Sequence, residues 1–347
     1  MLRSSTLEGV TKVQKDAAMA KASSTTANRW LIGGAAATVA GIASAVYNRQ
    51  KTKQAEAETP PIGSFIEVNG ARLHYLRRGT GSCIVLLHGN GVMLQDWRAS
   101  GLFDELAKSH EVIAFDRPGF GYSSRPRSVI WTPRAQAAAL AKAMVQLGID
   151  QATVVGHSFG TLVALALGLN HPELVERLVL LGGYYFPTAR PDMIMNAGPA
   201  IPIAGDVMRY TVSPIAGKAM MPMVEKILFS PAPVSERWKD SFPTAMVLRP
   251  SQVRATAADS ALAIPAAASL SKRYGELTMP VAIVAGRGDK IVRFEGQSRR
   301  LHEEIEGSQF TLLEDVGHMV HYSASDVVMA AIAPSTKAAD ITVAVPV

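Results

Sequence analysis

The chain has 347 residues, 48% of them hydrophobic and 18% charged, with 35 Lys and Arg against 29 Asp and Glu. This excludes disorder over most of the length and allows one large α/β domain with additions. A good part of the formal charge of +6 falls in the first 53 residues, and no basic stripe interleaved with aromatics follows, so no nucleic acid is expected as a partner. The one cysteine, Cys83, excludes an internal disulfide framework and a Cys-based zinc site. Its apolar surroundings suit a small buried strand residue better than a reactive thiol.

The first 61 residues form a basic leader. Within it, residues 30–47 (Trp30 to Tyr47) are uncharged, with Arg29 before them and Arg49, Lys51 and Lys53 after. Three readings stay open: a membrane anchor, a cleaved signal ending at Ala43-Ser44-Ala45, or a soluble extension. The run is at the short limit for a transmembrane helix and leans on Ala and Gly, which makes insertion marginal. Gly33, Ala37, Gly41 and Ala45 have the small-residue spacing of packed membrane helices, a spacing that Ala/Gly-rich composition also produces by itself. The leader favours a membrane-anchored or exported protein over a soluble cytoplasmic one, and leaves orientation and oligomeric state open. Asn48 to Pro61, ending in a Pro pair, is expected to be a linker.

From Ser64 onward short β-branched runs alternate with helical patterns, which predicts an α/β fold with a mostly parallel central sheet and helices on both faces. Ser64–Val68 and Arg72–Leu76 flank Asn69-Gly70, a hairpin signal. Cys83–Leu87, Val112–Phe115, Thr153–Val155, Leu178–Leu181, Val281–Ala285 and Gln309–Leu313 are short and apolar, as buried parallel strands are. The clearest helical patterns cover Ala135–Leu147, Thr161–Leu169, Phe294–Ile305 and Asp326–Ile332. Residues 62–185 and 276–333 would form the core. Residues 186–275 hold 11 of the 20 prolines and 7 of the 14 methionines, and their Pro-broken helical pieces suit a cap inserted over a cleft that takes apolar ligands. The tail, 334–347, is too short to assign.

The strongest chemical signal is Gly156-His157-Ser158-Phe159-Gly160, set between a strand and a helical run. A sharp strand-to-helix turn needs residues without bulk on either side of its apex, and it pushes the apical Ser158 into the open. The following amide, that of Phe159, opens the helix and can face developing negative charge. A serine hydroxyl needs a base, usually an imidazole whose second nitrogen is held by a carboxylate. Asp289, in Gly286-Arg287-Gly288-Asp289, and His318, in Asp315-Val316-Gly317-His318, each follow a strand and come in the order Ser, Asp, His. His157, His88, His74, His110, His171 and His302 take bland structural readings. His321 is a weak alternative base expected inside the next helix, and Trp97, Tyr184 and Tyr185 are expected in the core more than in the pocket.

With these residues in place, the stretch from Ser64 to Ala333 resembles the α/β-hydrolase family, including His88-Gly89-Asn90-Gly91 and the glycine-rich turn from Asp116 to Ser123. The resemblance implies that the turn after His88-Gly89 lends a second oxyanion amide, that of Asn90. It also implies that the turn after Asp116 is architecture. Each oxyanion donor would be worth about 3 kcal/mol.

The expected activity is cleavage of a carboxylic ester, or a related small apolar acyl substrate, through an acyl-enzyme and without a cofactor or metal. Thioester, lactone, C–C bond and perhydrolase or acyltransferase chemistry can use the same triad. A serine at the elbow disfavours haloalkane dehalogenase and epoxide hydrolase chemistry, which need an aspartate there. The non-enzymatic alternative is a catalytically silent hydrolase-like protein that binds a ligand or partner at the membrane.

Overall fold

A computed structural model describes residues 5–333 and 341–344 and divides into two compact units, Met1–Gln50 and Lys51–Val347. The first unit is helical from Ser5 onward, as part of helix Ser5–Glu58. Among the described residues no helix is long and apolar enough to cross a membrane, which corrects the transmembrane expectation for 30–47. The physical reason is that this run lacks charge but draws its length from Ala and Gly, which add little transfer free energy.

The expected linker is also different. The chain stays helical through Glu58, and Ala55 is buried with Met93, Trp238 and Phe242. The Tyr122 hydroxyl donates to the Thr59 carbonyl at 2.5 Å, and Arg249 pairs with Glu56 at 3.0 Å. These partners lie far along the chain, so composition could not reveal them.

Among the described residues nine strands form one sheet: β1 (Ser64–Val68), β2 (Ala71–Arg78), β3 (Cys83–Leu87), β4 (Glu111–Phe115), β5 (Ala152–His157), β6 (Val175–Leu181), β7 (Val281–Gly286), β8 (Gln309–Glu314) and β9 (Ile341–Ala344). Their order is β1-β2-β4-β3-β5-β6-β7-β8-β9. The β1–β2 hairpin and the β2–β4 pair are antiparallel and every other pair is parallel. Asn69 and Gly70 have φ of 51° and 73°, the left-handed pair that a tight hairpin turn requires. β9 was not expected; the residues between Ala333 and β9, and those after it, lie outside the described ones.

Alternate residues of the strands feed two cores. Val85 and Leu87 pack with helices Pro133–Gln146 and Phe159–Asn170, while Ile84 and Leu86 pack against Leu102–Leu106 and Ser325–Ile332 on the other face. Thr132 caps helix Pro133–Gln146 by accepting from the Ala135 amide, with Pro133 at its first position. The pattern over 294–305 is a π-helical turn, Glu295–Arg299, followed by Arg300–Glu304. Its buried Gln297 accepts from the Tyr185 and Phe186 amides. Between β6 and β7 the chain is helical, the longest pieces being Val212–Phe229 and Pro250–Leu270, each with an internal proline.

Helix Phe159–Asn170 is buried along residues 159–169. It enters so close to the sheet that a side chain at Gly160 would run into the carbonyl oxygens of Leu87 and His88. Gly160→Ala is therefore expected to cost about 3 kcal/mol, the upper end of overpacking against a backbone that cannot give. Gly275→Ala, where a Cβ would meet nothing within 4 Å, should change the urea midpoint little. Equal midpoints for the two variants would refute the close contact as a constraint.

Among the buried imidazoles, His88 and His157 have pKa values held well below the ordinary histidine range. Burial is the main cause for each; next come Arg117 for His88, and His321 and His318 for His157. The unfolded chain takes up protons at these sites near pH 6.5 while the folded chain does not. Their contribution to stability is therefore complete above about pH 7 and is lost as pH falls below about 6.5. Urea unfolding at pH 7.5 and 5.5 should show lower stability at the acid end, with a smaller acid loss in His157→Gln.

Candidate active site

β3, β5, β7 and β8 run parallel, so the loops after them open on one rim of the sheet. Ser158 follows β5 with φ 52° and ψ −120° and is half-buried. That backbone state costs a non-glycine residue on the order of 1–3 kcal/mol and persists where the surroundings enforce it. Here the Ser158 amide donates to the Leu181 carbonyl at 2.9 Å, while the Gly156 and Gly160 Cα positions have no room for side chains. Phe159 is the first residue of its helix, so its amide is one of the four that a helix leaves without an intrahelical acceptor.

The Asp289 and His318 side chains meet. His318 Nδ1 lies 2.7 Å from Asp289 Oδ2, with both residues buried. The other carboxylate oxygen accepts from the Ile291 and Val292 amides at 2.7 and 2.9 Å. Because a carboxylate only accepts, His318 carries a proton on Nδ1, and in the neutral ring Nε2 is the acceptor. The pair lies beside the elbow. Leu181, which binds the Ser158 amide, is followed by Gly182, whose Cα faces His318 Nδ1 and Asp289 Oδ2.

His318 is also fixed through its main chain. Its amide donates to the Leu228 carbonyl at 3.0 Å, and its carbonyl accepts from His157 Nε2 at 3.0 Å. The His157 and His318 ring centroids are 4.9 Å apart. His157, read from the sequence as structural, thus holds His318 in place.

The turn after β3 is built from main chain. A Cβ on Gly89 would come within 3.1 Å of Ser158 Cβ, so the Gly89-Asn90 peptide borders the serine. His88 donates from Nδ1 to the Gly89 carbonyl at 2.7 Å and accepts the Arg117 amide on Nε2 at 3.0 Å, which fixes it as a neutral tautomer. The Asn90 side chain donates to the Thr256 carbonyl and Ser260 Oγ at 3.1 and 3.0 Å. Gly91 has φ 76°.

The remaining candidates are buried or half-buried. Trp97, Tyr184 and Tyr185 are core residues. His74 is buried against Asp116 at 2.6 Å. Cys83 is half-buried in β3, its thiol pushed up to about 12 by burial and then by Glu111. His321 lies in helix Val320–Ser323 with Nε2 3.1 Å from Asp96 Oδ2, and Asp96 also accepts from the Tyr322 hydroxyl. Asp96, His157 and His321 bring potential ligand atoms within 4.8 Å of one another, the group among the described residues that could hold a metal ion. The Nε2 atoms of both histidines are already engaged, by Asp96 and by the His318 carbonyl. Asp96 and His321 are 225 residues apart, so their pairing carries no signal in local spacing.

The chain is similar to known proteins. The chain is 40% identical over 155 residues to a 2-hydroxymuconate semialdehyde hydrolase of Pseudomonas sp. (strain CF600), a match covering 42% of this chain and 53% of that one. The match thus spans about half the length of that relative. It is 29% identical over 269 residues to a 2-hydroxy-6-oxo-2,4-heptadienoate hydrolase of Pseudomonas putida, covering 75% of this chain and 90% of that one. The enol-lactonase of Burkholderia xenovorans LB400 superposes with a TM-score of 0.62 at 23% identity, over 76% of this chain and 96% of that one; this likeness concerns the fold. The family model for the alpha/beta hydrolase fold matches residues 83–325. The chain belongs to the α/β-hydrolase fold family.

Proposed function

We propose that this chain is a serine hydrolase in which Ser158 attacks an acyl carbonyl, His318 is the base and Asp289 orients it. The observation that carries the reading is the 2.7 Å pair of His318 Nδ1 and Asp289 Oδ2 beside the strained Ser158 turn. The bare Nε2 of His318 takes the Ser158 proton as Oγ bonds to carbon, and the amides of Asn90 and Phe159 face the oxygen that becomes negative. The imidazolium then protonates the leaving group. Water, deprotonated by the same imidazole, releases the acid and restores the serine.

The substrate class is a small apolar ester or related acyl compound, received under a helical cap formed by the segment between β6 and β7. A second reading is hydrolysis of a C–C bond, the ketone carbonyl being attacked and a stabilised carbanion leaving. It is favoured by the names of the two Pseudomonas relatives.

Turnover of p-nitrophenyl esters of increasing acyl length, beside a ring-opened 2-hydroxy-6-oxo-dienoate, separates the two readings. Ester turnover exceeding dienoate turnover by 100-fold in kcat/KM favours the first, and the reverse favours the second. In either case Ser158→Ala should lose activity by about a million-fold, and fluorophosphonate labelling should vanish with it. Asp289→Asn should fold yet lose about 10,000-fold in kcat, through the wrong tautomer and the missing charge. Folded wild-type protein that neither labels nor turns over any of these compounds would leave a silent binding protein instead.

A further inference from the structure

We propose that Arg117 is the positioning residue of the oxyanion turn, steadied by Asp259 on helix Pro250–Leu270; this rests on the reading of the Asn90 amide as an oxyanion donor. The Arg117 side chain is fully buried and its guanidinium spans two consecutive peptides. Nε donates to the His88 carbonyl at 2.8 Å and Nη2 to the Gly89 carbonyl at 2.9 Å. A peptide unit is planar and trans, so its carbonyl and its N–H point in opposite directions. Fixing the Gly89 oxygen on Arg117 therefore fixes the Asn90 N–H on the other side of that peptide. The rigid fork of arginine suits two adjacent carbonyls in a way that a single ammonium does not.

The far end of the guanidinium is held as firmly. Nη1 meets Asp259 Oδ2 at 2.6 Å and Gln136 Oε1 at 2.9 Å, while Asp259 Oδ1 meets Arg125 at 2.9 Å. Thr256, Asp259 and Ser260 lie three and four positions apart, on one face of their helix. Asp259 reaches Arg117, while the Thr256 carbonyl and Ser260 Oγ accept from the Asn90 side chain. One helix face thus holds the turn at Asn90 directly and at His88-Gly89 through Arg117. A buried ion pair is no more stabilising than apolar residues of similar volume, so the fold alone does not call for this one. A donor that must stay aimed at a reacting oxygen does.

The test uses the full chain with Arg117→Lys, which keeps the charge but not the fork, and Arg117→Met, which leaves Asp259 still paired with Arg125. kcat and KM are measured on the best ester or dienoate, with active sites counted by endpoint fluorophosphonate labelling. Inhibition by a trifluoromethyl ketone, which forms a tetrahedral adduct, is measured alongside. The expected result is a fall in kcat per labelled site of about 100-fold or more, KM within about threefold, and a parallel loss of ketone affinity. A purely structural role would change the labelled fraction and the melting temperature but not kcat per site. Either folded variant with kcat per site within threefold of wild type overturns the inference, as does failure of both to fold, which would make Arg117 a folding residue. Failure of the underlying reading shows separately, as turnover retained by Ser158→Ala.

Discussion

The site depends on one backbone contact, the approach of Gly160 to the last carbonyls of β3 and its following turn. Because no side chain intervenes, the helix that begins at Phe159 starts against the sheet and not a layer above it. The chain leaving β5 then has no room for a gradual bend and turns through Ser158 in a left-handed conformation. The turn after β3 is brought against the serine by the same contact, since Gly89 borders Ser158 Cβ. Burial of the helix along residues 159–169 supplies the free energy that keeps a strained serine in place.

The second constraint is charge. In the proposed mechanism His318 must be free to accept a proton, and a second imidazolium 4.9 Å away would oppose that. Burial keeps His157 neutral. Its Nε2–H is directed at the His318 carbonyl, so the imidazole that would be a rival charge serves as a fixed donor. His88 is handled in the same way, with both ring nitrogens committed and no acceptor left for a further proton. The permanent cation nearest the turn, Arg117, is matched by a carboxylate and directed at main-chain oxygens.

The legible parts of this arrangement are the local ones. The elbow can be read because strand, turn and helix are consecutive and the glycines are needed within five residues. The Ser158, Asp289, His318 order can be read because each residue follows a strand of recognisable pattern. The Asn69-Gly70 hairpin is of the same kind. Arg117 and Asp259 are 142 residues apart and Asp96 and His321 are 225 apart, so their pairing depends on topology that spacing cannot express. For that reason the turn after Asp116 reads as mere architecture until its arginine is seen holding two carbonyls. The helix through Glu58 and strand β9 escape for a related cause: each is decided by partners distant in the chain, not by its own composition.

The segment between β6 and β7 is joined to the reacting loops at several places, and the joints are unevenly distributed. Its 228–230 stretch binds the His318 amide and leaves no space for a side chain at Gly317. Its helix Pro250–Leu270 binds Asn90 and Arg117. Between β6 and those anchors, Met195, Ile201, Ile203, Val207, Val212 and Met223 are more than half exposed. Substitution among these exposed residues leaves the anchoring contacts untouched, whereas a change at the anchors alters what holds His318, Asn90 and Arg117.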